Sequence, residues 1–390
     1  MGLLAVVLVA LLGGIALGGH PNLLPGFIRD AFVGDKQAQV VREALDKIHD
    51  VYYRPIPDDK LADAAIAGMV SSLHDRFSNY LSPQDYRRFK EITHSAYEGV
   101  GMEVDKARRG LRVIAVYDGS PAKRAGIRPG DVVLAANGVS LAGKTSARGS
   151  GLIKGPPGTQ VTLRVLHAGS VKTLKVSRAR VTVPVVASQL KTVRGKKLGV
   201  VRLATFSSGA HAEFDAALKK LLGQGAKGVV VDLRGNGGGL VSEAQLIASA
   251  FLHGGTVVTT GGRAVGRETL KAIGTTIVPA RDPVVVLVDH NTASASEIVT
   301  GALQDRHRAE VVGVPTFGKG VFQQIMDLSN GGALDITAGQ YFTPSGRNLG
   351  GRGVQTGAGI KPDVTAKDDP KTTPDEGLRK ALAVLAAKVA

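Results

Sequence analysis

The run Thr292-Ala293-Ser294-Ala295-Ser296-Glu297, followed by Gly318-Lys319-Gly320 and Gln323, supplies a serine hydroxyl and a lysine amine, the two groups that acyl transfer needs as nucleophile and base. No histidine holds a base position beside Ser294, so the serine needs another proton acceptor. A neutral lysine can serve, provided burial draws its pKa from about 10.4 toward ~7–8. Pro283 to Val288 is a continuous apolar run that predicts a buried strand, and Glu297 to Leu303 predicts a helix. Ser294 therefore falls at a strand-to-helix junction, where free backbone N–H groups and the helix dipole favour developing negative charge. Gly318 and Gly320 give Lys319 a permissive backbone on both sides. The same Ser294-x-x-Glu297 spacing matches a helix capping box, worth about 1 kcal/mol. The two readings are compatible, since a serine can cap the resting helix and attack when substrate arrives.

A second loop could meet an anion. Asp232-Leu233-Arg234-Gly235-Asn236-Gly237-Gly238-Gly239 follows an apolar run and opens a helical pattern, so its backbone N–H groups can approach negative charge closely. A dinucleotide site would need the full glycine fingerprint and an acidic residue at the end of a second strand, and this loop has neither. Arg234 and Asn236 read as braces of the loop rather than as reacting groups. The nine histidines show no metal-binding spacing and cysteine is absent, which excludes thiol catalysis, disulfides and cysteine-ligated metal.

These motifs, in this order, resemble the carboxyl-terminal processing peptidases, a family of Ser-Lys endopeptidases. The resemblance implies that Ser294 is the nucleophile, Lys319 in Thr316 to Gly320 the general base, and Gln323 the residue that orients the lysine. It further implies an oxyanion hole made by the N–H of Gly237 or Gly238 together with that of Ala295, and a reaction that needs neither metal nor organic cofactor. Asp305 matches an acidic position with a supporting role, or is a solvated or helix-capping carboxylate. The resemblance extends to Gly68-Met69-Val70 and Phe77-Ser78-Asn79-Tyr80-Leu81, and to Gly359-Ile360-Lys361-Pro362-Asp363-Val364 as a terminal strand. Leu73-His74-Asp75 and Pro156-Pro157 depart from the family pattern.

The elements that must position these groups follow a multidomain α/β plan. Val40, Val41, Ala44, Leu45, Ile48 and Val51 mark an amphipathic helix, with further helices over 61–73 and 83–89, giving a helical subdomain at 35–97. From Glu98 the chain turns to short alternating strands with glycine turns. Gly99-Val100-Gly101-Met102, Ser120-Pro121-Ala122 and Ala125-Gly126-Ile127-Arg128-Pro129-Gly130-Asp131 make residues 98–183 similar to a PDZ domain, a module that captures extended peptide tails. A glycine-rich turn can offer backbone N–H groups to a terminal carboxylate while the next strand pairs with the peptide. Gly99, Val100, Gly101 and Met102 are thus the expected tail-binding residues. Lys154 is a candidate sensor of bound peptide or a solvated surface lysine. Residues 184–366 alternate strands and helices, the pattern of an α/β core, which the resemblance makes a ClpP/crotonase-like serine protease. Residues 367–390 read as a tail carrying a helix.

The 390 residues are enough for two or three domains, and 43% hydrophobic content is enough to bury them. The net charge of +16 comes from scattered lysines and arginines. That pattern suits anionic membrane surfaces as well as nucleic acid, and no nucleic-acid partner is expected. Leu3 to Gly18 is apolar throughout, at the short edge of a ~17–25 residue transmembrane helix, and Leu17-Gly18-Gly19-His20 is a poor cleavage site. Residues 1–19 are therefore expected to anchor the chain in a bacterial cell membrane or act as a signal segment, with 20–34 as linker and the catalytic domain outside the cytoplasm. The expected partners are protein substrates with exposed carboxyl-terminal tails.

Overall fold

The computed structural model describes residues 36–274, 276–350, 358–368 and 375–389, so the apolar segment Leu3 to Gly18 and the linker after it lie outside the described residues. The chain divides into two units, the first reaching to Tyr80. In that unit the apolar spacing yields helix α1 (Lys36–Val51), followed by α2 (Asp58–Ser71) and the short strand β1 (Asn79–Leu81) that runs to its boundary. Every α1 residue keeps solvent exposure, including Val40 and Val51. The Tyr80 hydroxyl donates to Asp63 of α2 at 2.5 Å. The third expected helix, α3 (Pro83–Thr93), belongs to the larger unit, Leu81–Ala390, and not to a helical subdomain running to residue 97. It starts where Ser82 accepts from Asp85 N–H and Pro83 supplies a preset first turn.

Strand β2 (Ala96–Gly99) leaves α3 and pairs antiparallel with β9 (Ala179–Thr182), closing the two ends of the PDZ-like region on each other. Between them lie β3 (Met102–Ala107), β4 (Gly110–Val116), the short helix α4 (Pro121–Arg124), β5 (Val132–Ala136), β6 (Val139–Ser140), α5 (Ser146–Ile153), β7 (Gln160–His167) and β8 (Ser170–Ser177). The sheet runs in the order β3-β4-β5-β7-β8, so β3 is an edge strand. Inward positions such as Leu111, Val113, Val133, Val161, Leu163 and Val165 are fully buried and alternate with outward ones, as a one-sided sheet requires.

The core sheet has the order β10-β11-β12-β15-β16-β19, built from Val186–Val193, Lys196–Leu203, Val229–Asp232, Val284–Val288, Ala309–Gly313 and Val364–Thr365. β10 and β11 form a hairpin, and every later neighbour is parallel. Val229 to Asp232 and Val284 to Val288 are buried along their whole length, because helices cover both faces. On one face pack α6 (Ala210–Gly223), α7 (Val241–Ser249) and α8 (Ala295–Asp305). On the other lies α9 (Glu376–Lys388), whose Ala381, Leu382, Leu385 and Ala386 meet Leu198, Val200, Val230, Val285 and Val312. The expected tail at 367–390 is thus, where described, an integral layer of the core. A face of alternate valines needs a cover, and α9 is the element with the matching apolar side.

A second, antiparallel sheet brings together β13 (Thr256–Gly262), β14 (Gly266–Lys271), β17 (Val321–Asp327) and β18 (Ala333–Phe342). Its strand β17 begins two residues after Lys319.

Candidate active site

Ser294 stands at the amino end of α8, directly after the loop that leaves β15, at φ 57° and ψ −117°. A positive φ in a serine costs about 1–3 kcal/mol and persists only where the surroundings enforce it. Enforcement comes from Glu297. Its fully buried carboxylate accepts the Ser294 N–H at 2.8 Å, so the capping box forms through the glutamate. The same carboxylate accepts Thr316 Oγ1 at 2.5 Å, Gly318 N–H at 2.8 Å and Lys319 N–H at 2.9 Å. Ser294 and Lys319 donate to one and the same oxygen, Oε2. Burial pushes the Glu297 carboxyl above the usual range, while these four donors pull it back.

The serine hydroxyl, 5% exposed, meets the Tyr341 hydroxyl at 2.9 Å. Tyr341 comes from β18, is almost wholly buried and stacks on Phe322 at 5.8 Å between ring centres. Burial raises its pKa to about 12, so the phenol stays protonated at neutral pH. The half-buried Lys319 donates through Nζ to Gln323 Oε1 at 2.7 Å, and Gln323 Nε2 is held in turn by Thr337 Oγ1 at 3.2 Å. Lysine, glutamine and threonine form one chain across β17 and β18. The Lys319 and Gln323 side chains are therefore bonded to each other, the loops of Ser294 and Lys319 meet through their backbones at Glu297, and the Ser294 hydroxyl has Tyr341 as an unexpected neighbour.

The glycine loop is stitched to the serine loop. Asn236, fully buried, accepts Ala293 N–H and Ser296 Oγ on its carbonyl at 3.0 and 2.9 Å. Its amide donates to Leu203 O and its Oδ1 accepts Gly238 N–H, both at 2.9 Å. Asn236 is thus a brace, as expected. Gly238 lies at φ 102°, and a Cβ there would sit 2.8 Å from Ser294 Cβ and 2.9 Å from Ala295 N. Only glycine fits so close to the nucleophile. The Gly238 N–H is committed to Asn236, whereas Gly237 of the same turn is exposed. Arg234 pairs with Asp232 at 2.8 Å and with Asp375 at 2.8 Å, tying the loop to the start of α9. Burial acts against the guanidinium charge, but these carboxylates more than offset it and raise its pKa. Asp305 accepts Ser345 N–H at 3.0 Å and pairs with Arg347 at 2.5 Å at the far end of α8, which makes it a structural carboxylate. Among the described residues no group of acidic, histidine or cysteine side chains could hold a metal ion.

In the PDZ-like region the expected tail-binding residues form one turn. Val100 O accepts Ala122 N–H at 2.7 Å, and Gly101 O accepts Tyr117 N–H at 3.1 Å. Beside them a cavity of about 250 Å³ is lined by Tyr97, Val100, Met102, Val104, Tyr117, Ile153 and Lys154, among others. Lys154 is neither free nor simply solvated, since it pairs with Glu91 of α3 at 2.6 Å and lies 4.9 Å from the Tyr97 ring centre. The α3 end of the chain also reaches the core: Ser208 N–H donates to Thr93 O at 2.9 Å, and Ser95 Oγ to Ser207 Oγ at 2.5 Å.

Residues 197–366 match the model of peptidase family S41, residues 99–177 that of a PDZ domain, and residues 29–84 that of the activating protease CtpB N-terminal domain. A probable CtpA-like serine protease of Staphylococcus aureus is 36% identical over 335 residues, covering 84% of this chain and 65% of the relative. Its counterpart in Staphylococcus epidermidis is 34% identical over 331 residues, 85% of this chain and again 65% of the relative. The chain thus spans just under two thirds of the length of these relatives. Among solved structures, the photosystem II D1 C-terminal processing protease is 29% identical with a TM-score of 0.50, over 90% of this chain and 97% of that one. A putative S41 protease from Bacteroides fragilis shares the fold at 18% identity and a TM-score of 0.52, over 88% and 97% of the two chains. The chain is therefore similar to a peptidase of family S41 over residues 197–366, to a PDZ domain over 99–177 and to the CtpB amino-terminal domain over 29–84.

Proposed function

We propose that this chain is a serine endopeptidase that takes hold of protein substrates by their carboxyl-terminal tails and cuts them by acyl transfer through Ser294 and Lys319. The carrying observation is that these two residues, far apart in sequence, hang their backbone N–H groups on one buried carboxylate oxygen. The loops that carry nucleophile and base are thereby tied together before substrate arrives, which supports a preorganised attack.

Lys319, neutral and oriented by Gln323, removes the Ser294 proton once the hydroxyl turns from Tyr341. The alkoxide adds to a peptide carbonyl, and the N–H groups of Gly237 and Ala295 receive the charge on its oxygen. The protonated lysine then delivers its proton to the leaving amine, and water releases the acyl-enzyme by the same relay. Substrate reaches this point from the PDZ domain, where the open edge of β3 accepts the tail as an added strand and the apolar cavity beside Val100 and Met102 takes the last side chain. The apolar run Leu3 to Gly18 supports a location at a membrane, with the catalytic domain outside the cytoplasm.

Mass spectrometry of tailed peptides incubated with the protein tests the reading. Ser294→Ala and Lys319→Ala each abolish cleavage and leave the circular dichroism spectrum unchanged, because the pair acts as a unit. A Lys319→Ala protein that turns over at the original rate places the base elsewhere.

A further inference from the structure

Met102 is the first residue of the edge strand β3 and the last of the Gly99-Val100-Gly101-Met102 turn, so its N–H is a group that an arriving tail should find open. It is already taken. The Tyr97 hydroxyl accepts the Met102 N–H at 3.0 Å and donates to the Met102 carbonyl at 3.3 Å, satisfying both backbone groups of that residue as a docked strand would. The ring reaches there by folding back over the turn, and a Cβ on Gly99 would lie 2.9 Å from Tyr97 Cε2. Tyr97 sits in β2 opposite Val181, so its backbone is fixed by the sheet while its side chain lies along the wall of the 250 Å³ cavity. Val100 and Ile153, almost wholly buried, also line that cavity. The apolar half of the tail site is therefore open and the polar half is closed by one phenol.

We infer that Tyr97 is an internal competitor for the tail: its hydroxyl occupies the carboxylate-binding position of the PDZ domain, and a peptide ending in an apolar residue with a free carboxylate must displace it to bind. This rests on the proposed tail recognition. An anionic carboxylate displaces the phenol because hydrogen bonds from backbone N–H groups to a charged acceptor are stronger than those to a neutral oxygen. An uncharged carboxamide has no such advantage. Tyr97 thereby lowers the affinity of every tail by one common factor, so that only tails that bind strongly enough to displace it dock, and it does so without touching the reacting bond. Phenylalanine at this position would keep the ring and its packing and lose only the competing hydroxyl.

The test uses the full chain carrying Ser294→Ala, so that nothing is cut, and a fluorescein-labelled decapeptide ending in valine, as free acid and as amide, read by fluorescence anisotropy. Adding Tyr97→Phe is expected to tighten the free acid by about 2- to 10-fold, the scale of one neutral hydrogen bond, and the amide by the same factor, with the ratio between the two unchanged. Binding of the free acid by the Tyr97→Phe form alone supports the same conclusion. If the free acid binds and Tyr97→Phe leaves its affinity unchanged or weaker, with an unaltered melting temperature, Tyr97 is not a competitor while tail recognition stands. If acid and amide bind both proteins equally, or bind neither, tail recognition itself fails and the role of Tyr97 falls with it.

Discussion

Ser294 and Gly238 meet at van der Waals distance, and each has a backbone conformation that its neighbours impose. A methyl group added at Gly238 would press on Ser294 Cβ and on Ala295 N, whereas at Gly237 it would meet nothing within 4 Å. Gly238→Ala should therefore cost about 1–3 kcal/mol of stability through overpacking and reduce peptide cleavage at least 100-fold, while Gly237→Ala, which keeps its N–H, should stay within a few-fold of the original rate. Steady-state cleavage of one peptide by the two variants decides it, and comparable losses in both would mean that the glycine loop is not seated as described. The place of Ser294 at a helix start was legible in the sequence because it lies in a short run with recognisable spacing, and so was the pairing of Lys319 with Gln323. Tyr341 was not. It comes from a long strand that is half-buried over most of its length, so no alternation marks it, and the partner of a buried phenol is fixed by tertiary contact.

The element whose role was least legible is α9. Its apolar spacing predicts a helix, but no local signal says that the valine strands of the core present it with a second uncovered face. The strands themselves were plain, since Val284 to Val288 can be read as buried on both sides from composition alone. Leu385, fully buried against that sheet, should cost about 2–5 kcal/mol when changed to alanine, measured by denaturant unfolding. The Arg234 guanidinium beside Asp375 holds that carboxyl below the ordinary aspartate value. A carboxyl with a depressed pKa in the folded state contributes stability that is present above its unfolded value of about 3.9 and is lost as pH falls through the folded value. Asp375→Asn should thus lower the melting temperature at pH 7 and show a smaller further drop between pH 5 and pH 3 than the original chain. Equal acid-induced drops would show that the pair does not anchor α9.

Across the whole molecule, the order of a helical, a β-rich and an α/β region could be read from changes in residue pattern. The grouping of α3 could not, because it depends on contacts such as Ser95 to Ser207 and Lys154 to Glu91, which join residues far apart in the chain. The net charge of +16 and the apolar Leu3 to Gly18 together support a location at an anionic membrane. Reporters of topology fused to the carboxyl terminus should be active only where they require export from the cytoplasm, and activity of a cytoplasm-only reporter would overturn this placement.

Glu297 also determines how the site comes apart. Since the amides of Ser294, Gly318 and Lys319 all end on its two oxygens, none can meet solvent without the carboxylate losing a donor it needs to remain buried. Local opening of one strand of this knot therefore releases the others, and the three amides should exchange with deuterium at a common rate rather than at three separate ones. Heating would then produce molecules that are either fully competent or wholly inert, with no population that keeps its nucleophile and has lost its base.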